Sequence, residues 1–416
     1  MVVAALSTVV EWYDFTLYLY FATVLARVFF GSGPQSMIET LGGFAVAYLM
    51  RPIGALVFGH LGDRFGRRVS MLGSMAMMSA AMLATALLPT YAQASSLSGG
   101  LLIALRCIMS FSVGGEYTGV VAYLVEGASE RRRGLVASCA SAASEIGALM
   151  AAGAAALTVW AIPEDSLVSW GWRLPFLFGA ALAGMVLVAR ATLDETPEFI
   201  RQQREDVVPK KPIRQTLTRH RPAILRGFAI SALGSITYYV GITYVPVFLD
   251  ATHTMTETRA LSISTLAALT VILVTPLAGF LSDRMGRRPV LLALALSGIV
   301  LPTSLFAIMT SGGAASWAGA LIMAALGGAV SAVGAVTTAE QFPGEGRLSG
   351  LALGATTATA VFGGLTPLTA HLLVTQSGWA GAPGAMIACV SLCVITVFWS
   401  MPETAPAKAS PANIGH

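Results

Sequence analysis

The chain has 416 residues, 55% of them hydrophobic and only 11% charged. So few charges cannot cover a water-soluble surface of ordinary density, which excludes a soluble two-domain protein and makes lipid the solvent. A net charge of +4 would suit nucleic acid or another acidic partner only if the basic residues gathered on one exposed face, and they do not.

A hydrocarbon core ~30 Å thick takes roughly 20 apolar residues per helical crossing. Apolar runs broken by Pro, Gly and charge clusters predict six spans in the first half, near 2–30, 38–60, 69–89, 98–126, 134–160 and 172–192. A polar stretch from Asp194 to about Pro222 follows. Six more spans are predicted near 223–249, 260–280, 289–310, 315–340, 348–375 and 379–400. The expected fold is all-α, with twelve transmembrane helices in two pseudo-symmetric bundles. The domain boundaries are 1–193, 194–222 for a cytoplasmic linker, 223–401, and 402–416 for a short cytoplasmic tail. The first apolar run carries Glu11 and Asp14 and lacks a basic leader, so it reads as a retained span rather than a cleaved signal. It begins so close to Met1 that an upstream start codon is one reading.

Twenty of the 25 Lys and Arg residues fall in alternate loops, within 61–69, 127–133, 190–226 and 281–289, at Arg347 and at Lys408. Cytoplasmic loops retain positive charge, so both termini and the central linker are expected on the cytoplasmic side of a bacterial inner membrane. The cysteines Cys107, Cys139, Cys389 and Cys393 lie in apolar stretches without metal-ligand spacing and read as packing residues. No metal site and no cofactor are expected.

Two internal repeats relate the halves. Gly59-His60-Leu61-Gly62-Asp63-Arg64-Phe65-Gly66-Arg67-Arg68 recurs as Gly279-Phe280-Leu281-Ser282-Asp283-Arg284-Met285-Gly286-Arg287-Arg288, and the spacing of Glu126 to Arg133 recurs in Glu340 to Arg347. Both occupy corresponding places, after the second and fourth span of each half. Small residues that let helices approach, a carboxylate, and basic residues facing an anionic leaflet make the first repeat a candidate latch, or a purely topogenic loop.

This doubled sequence resembles the signature of the major facilitator superfamily. Further stretches are similar to its metabolite:proton symporter family: Glu11-Trp12-Tyr13-Asp14-Phe15, Arg51-Pro52-Ile53-Gly54, Arg106 with Phe111-Ser112-Val113-Gly114-Gly115-Glu116-Tyr117, Trp170-Gly171-Trp172-Arg173-Leu174-Pro175-Phe176, Glu195-Thr196-Pro197-Glu198-Phe199 and Phe362-Gly363-Gly364-Leu365-Thr366-Pro367. The resemblance implies a transporter that couples proton entry to uptake of small carboxylates or zwitterionic osmolytes. Ser7 and Thr8 depart from the Gly-Asn that usually precedes the helix 1 motif.

A charge at mid-bilayer costs ~2.5 kcal/mol or more, so intramembrane ions should face the bundle interior with partners or a task. Glu11, Asp14 and Tyr18 share one helical face, as do Arg106, Ser110 and Tyr117, while Glu116 points elsewhere. Arg106 is permanently charged and its fork fits a carboxylate, so it is a candidate substrate ligand, or else the fixed partner of Glu145 or a helix 1 acid. Asp14 and Glu116, with Glu11, are candidate proton carriers or structural acids. Arg51, beside Pro52, is expected to be structural, bonding freed carbonyls or pairing with Asp14. Glu145 and Tyr117 are candidate wall residues of the substrate site, joined in the second half by Ser235 and Tyr238. His371 is a possible proton carrier or an interface residue.

The chain lacks a phosphate-binding loop, a His-Glu-x-x-His helix and a Gly-x-Ser-x-Gly turn, so an ion gradient rather than ATP is expected to drive it, and no enzymatic activity is expected. The leading reading is a monomeric symporter importing citrate or another di- or tricarboxylate with protons by alternating access. The alternatives are a betaine or proline symporter, an exporter of a siderophore or drug, and a receptor that does not transport. The short, proline-broken segment after Met401 counts against the osmolyte reading, because osmosensing relatives tend to carry a longer C-terminal extension with heptads.

Overall fold

The computed structural model describes residues 2–31, 35–255 and 257–405. Met1, Lys408 and the segment 406–416 of the expected tail lie outside the described residues. Ten helices among the described residues are long and apolar enough to cross a membrane. Two further spans are interrupted. The first runs as Val2–Tyr20, Ala22–Leu25 and a π-helical turn Ala26–Phe30, and the second as Ser36–Tyr48 and Met50–Phe65. The third to sixth are Arg67–Ala86, Ser96–Gly127, Arg133–Ala161 and Glu164–Ala191. The seventh to twelfth are Arg221–Thr243, Glu257–Met285, Arg287–Met309, Gly313–Glu340, Gly344–Ser377 and Ala382–Ser400. The chain thus has the all-helical fold of twelve spans in two repeats that the apolar pattern predicts. The first and seventh spans even carry π-turns at corresponding places, Ala26–Phe30 and Tyr239–Thr243.

The repeated motif is not a loop. The second span continues through Phe65 and the third starts at Arg67, leaving Gly66 alone between them; Gly286 plays the same part between the eighth and ninth spans. Both glycines have positive φ, +113° and +106°, which L side chains rarely adopt. The reversal therefore takes one residue instead of the nine or so that charge clustering suggests.

Two compact units emerge, Met1–Tyr123 with Ala143–Ile213, and Leu124–Ala142 with Arg214–His416. They differ from the expected domains because the ends of the fourth and fifth spans associate with the second repeat. The first unit's core joins Tyr13, Phe21, Phe29, Met78, Trp172 and Phe176. Trp172 is fully buried, edge-on to Phe29 at 4.9 Å, and Tyr13 donates to the Pro175 carbonyl at 2.8 Å. In the second unit, Phe248 and Phe306 meet edge-to-face at 4.9 Å within one core, and Leu291, Val330 and Phe398 anchor another.

Candidate functional site

In the first unit the second and fourth spans touch backbone to backbone. A Cβ on Gly54 would stand 1.8 Å from the Phe111 carbonyl oxygen, and one on Gly114 would stand 2.0 Å from that of Arg51. Only glycine permits this approach, which brings Arg51, Arg106 and Glu116 close to the first span, where Glu11 and Asp14 sit.

Arg106 takes Asp14. Its Nη1 donates to Asp14 Oδ2 at 2.6 Å and its Nη2 to Oδ1 at 3.3 Å and to Thr85 Oγ1 at 3.2 Å. The guanidinium also stacks over the Tyr18 ring at 5.5 Å, and Tyr18 donates to the Thr40 carbonyl at 2.9 Å. Of the pairings open to Arg106, the structure realises the one with a helix 1 acid.

A second buried pair lies toward the end of the sixth span. Glu116 meets Arg190 at 2.6 Å, accepts from Ser74 at 2.7 Å, and shares Arg190 with the Met71 carbonyl and the Ser7 hydroxyl. Both side chains are 1% exposed. Charge counting groups Arg190 with the cytoplasmic basic residues of 190–226, but it lies within the predicted sixth span and is buried. Its helix extends to Ala191 and turns the side chain inward to a carboxylate two spans earlier in the chain. Ser7, where the family usually has Gly, is therefore a partner in this network.

Glu11 is buried, and its Oε2 has no hydrogen-bond partner among the described residues. The guanidinium of Arg51 lies over two rings, 4.8 Å from the centroid of Phe15 and 4.8 Å from that of Tyr48. Trp12 stands edge-on to Phe15 at 5.5 Å. This environment was not legible as a site from residue types alone, although the Trp12 and Phe15 spacing on one helix offered a hint. Glu145 is buried on the fifth span and Tyr117 half-buried on the fourth.

The second unit holds the other candidates. Ser235 donates to Thr359 Oγ1 at 3.0 Å, joining the seventh and eleventh spans, and Tyr238 packs edge-on to Tyr239 at 5.4 Å. His371 packs against Tyr244, ring centroids 6.2 Å apart.

Each motif copy forms a buried charged network. In the first, Asp63 pairs with Arg67 at 3.7 Å, both fully buried, and Arg67 donates to the Gly62 carbonyl, while Gly59 is buried and Arg64 exposed. In the second, Arg287 binds Asp283 at 2.8 Å and Glu340 at 3.1 Å, and Arg284 stacks on Phe280 and Arg288 on Trp399. Asp283 also accepts from the backbone N–H groups of Gly134 and Leu135 at 2.8 and 2.9 Å, capping the first turn of the fifth span beside Arg133. Glu126 pairs with Arg347 at 2.8 Å, a bond across the two repeats within the second unit.

Two acids outside the motif complete it. Glu195 accepts from the N–H groups of Arg67 and Arg68 at 3.0 and 3.1 Å, and Glu403 from those of Arg287 and Arg288 at 2.8 and 3.1 Å. Each places a carboxylate on the exposed amides and positive dipole end of a helix N-terminus. Glu403 falls in what the charge pattern reads as a free tail; Met401 and Ala405 are instead buried. The signal that could have found both is the Glu-Thr pair at Glu195-Thr196 and Glu403-Thr404.

Residues 1–215 match a family model described as sugar (and other) transporter, and residues 249–416 match one described as major facilitator superfamily. The proline/betaine transporter of Salmonella typhimurium is 32% identical, the match covering 98% of this chain and 85% of that one. The citrate-proton symporter of Klebsiella pneumoniae is 31% identical over 92% and 87%. The proton:xylose symporter XylE shares the fold, at a TM-score of 0.79 and 19% identity over 97% of this chain and 95% of that one. With its doubled motif, its twelve spans and relatives matching nearly end to end, the chain is a multi-pass membrane protein that belongs to the major facilitator superfamily of transporters.

Proposed function

We propose that this protein is a proton-coupled symporter importing a small zwitterion of the betaine or proline class across a bacterial inner membrane, both termini cytoplasmic. One observation carries the reading: the first span presents, on consecutive residues, a carboxylate held by Arg106 and an aromatic wall already holding a cation. A zwitterion needs both a guanidinium for its carboxylate and π faces for its ammonium group. The proline/betaine transporter of Salmonella supports this over the di- or tricarboxylate that leads the sequence reading.

Coupling follows from the Asp14 and Arg106 pair. While Asp14 is ionised it occupies the guanidinium fork. A proton on Asp14 removes the charge that holds Arg106 and frees the fork for the carboxylate of the cargo, so proton and cargo are loaded together. Glu116 is held by Arg190 and Ser74 and is assigned to structure. The motif networks around Asp283, Arg287, Glu340, Glu126 and Arg347 act as latches that are made and broken as the transporter cycles.

Arg106 alone also favours a second reading, citrate or a related anion, which the Klebsiella symporter supports. Purified protein in liposomes with an acid exterior decides between them. Labelled betaine or proline is expected to accumulate and citrate is not. Accumulation of citrate alone overturns the zwitterion reading, and accumulation of nothing overturns both.

A further inference from the structure

Two of the acids buried around the first span hold a guanidinium, Asp14 that of Arg106 and Glu116 that of Arg190, each at 2.6 Å. Glu11 is placed differently. It is 2% exposed, and its Oε2 has no hydrogen-bond partner among the described residues. Thr8 Oγ1, one turn earlier on the same helix, is likewise buried without a partner among them. An ionised carboxylate with an oxygen left unbonded in such a place is costly, and a group so placed takes up a proton instead. One proton on Oε2 settles both atoms. The acid then donates, and the Thr8 hydroxyl, a neighbour on the same helical face, can accept.

We propose that Glu11 is the proton store of the coupling: it holds a proton in the unloaded protein and passes it to Asp14 as the cargo arrives. The relay rests on the reading that a proton on Asp14 frees Arg106. Asp14 lies three residues further along the helix, and such neighbours stand about 5–6 Å apart at Cβ. Two carboxyls so placed exchange a proton directly or through one water. The O–H bond on Glu11 breaks, one forms on Asp14, and the negative charge passes from Asp14 to Glu11. The two acids keep one proton and one charge between them, so the transfer buries no new charge. The surroundings of Glu11 tolerate both forms. Arg51 on the second span and Arg190 on the sixth favour its anion, and Glu116 on the fourth opposes it. Glu145, on the fifth, has its field on Tyr20. Once the cargo has left on the inner side, Arg106 recaptures Asp14, whose proton departs, and Glu11 reloads from the acid side.

The test uses the full chain in lipid nanodiscs, with Glu11→Gln as the variant because it keeps the size of the side chain and removes only the titration. Infrared spectra of the unloaded wild type at about pH 7.5, well above the ordinary carboxyl range, are expected to show a carboxylic acid C=O band that the variant lacks. No such band, or one that survives in the variant, overturns the proposal whatever the cargo. Betaine binding is then followed by calorimetry in buffers of different ionisation enthalpy. The wild type is expected to draw almost no proton from solution, since the proton is already aboard, and Glu11→Gln about one. The variant's affinity for betaine is therefore expected to fall about tenfold for each unit of pH above neutrality, and that of the wild type to stay level. Equal proton uptake and equal pH slopes in the two proteins overturn the relay. A wild-type chain that binds no betaine sinks the zwitterion reading alone, and the infrared band still decides whether Glu11 stores a proton.

Discussion

Arg106 holds both carboxylate oxygens of Asp14, at 2.6 and 3.3 Å, with the two side chains 5% and 2% exposed. Removing one partner from such a pair leaves an uncompensated buried charge and costs ~3–5 kcal/mol, whereas removing the charge from both is far milder. Asp14→Asn mimics the protonated acid. It is expected to abolish pH-driven accumulation at least about tenfold while retaining exchange of labelled for unlabelled cargo, since exchange needs no net proton movement. Measurement of uptake and counterflow in the same liposomes checks this, and a variant that still concentrates cargo against its gradient removes Asp14 from the coupling.

Glu116 and Arg190 make the contrasting case. Their pair is braced by Ser74, Ser7 and the Met71 carbonyl. Arg190→Met alone is expected to lower stability by ~3–5 kcal/mol, and Arg190→Met with Glu116→Leu to recover most of it, because the pair is then replaced by apolar groups. Melting curves in detergent check both. A double variant with restored stability that has lost all coupled transport would return Glu116 to the proton path.

These two pairs mark the limits of the sequence. Spans, the doubled motif and the shared face of Glu11, Asp14 and Tyr18 were legible, because lipid punishes every misplaced charge and a helix repeats its faces every 3.6 residues. Which acid Arg106 would choose was not, because Asp14, Glu11 and Glu145 differ only in the relative rotation of helices far apart in the chain. Arg190 misled for a related reason. A long cationic side chain near a helix end ordinarily reaches outward to water, and nothing local to Arg190 announces a buried carboxylate 74 residues earlier. Arg51 was recognised as a costly charge, but its aromatic walls come from two spans and no single stretch displays them.

Glu195 and Glu403 are expected to act as helix caps contributed from elsewhere in the chain. Each accepts two backbone N–H groups at a span that starts directly after a positive-φ glycine. Glu195→Ala and Glu403→Ala are each expected to cost ~1 kcal/mol, in the range of lost N-caps. Gly66→Ala is expected to cost more than either, since its Cβ would stand 2.3 Å from Glu195 Oε2 on a backbone that already disfavours it. Thermal melts of the three variants give the order, and Gly66→Ala proving the mildest would show that the tight reversal is not what holds these two spans.

His220 supplies a pH dependence outside the membrane, at the entrance to the seventh span. Burial lowers its pKa below the ordinary histidine value, Arg219 lowers it further, and Glu345 opposes both without prevailing. The folded chain therefore gives up the His220 proton at a lower pH than the unfolded chain does. Between those two values the unfolded state binds more protons, so stability rises with pH across the window, is complete above about 6.5, and is lost as pH falls. His220→Gln is expected to flatten the acid side of the stability curve. Glu345→Gln is expected to steepen it, since the one charge favouring the protonated ring is gone. Melting temperatures of the wild type and both variants from about pH 5 to 7.5 carry the test, and a His220→Gln slope equal to that of the wild type would assign the acid sensitivity to other groups.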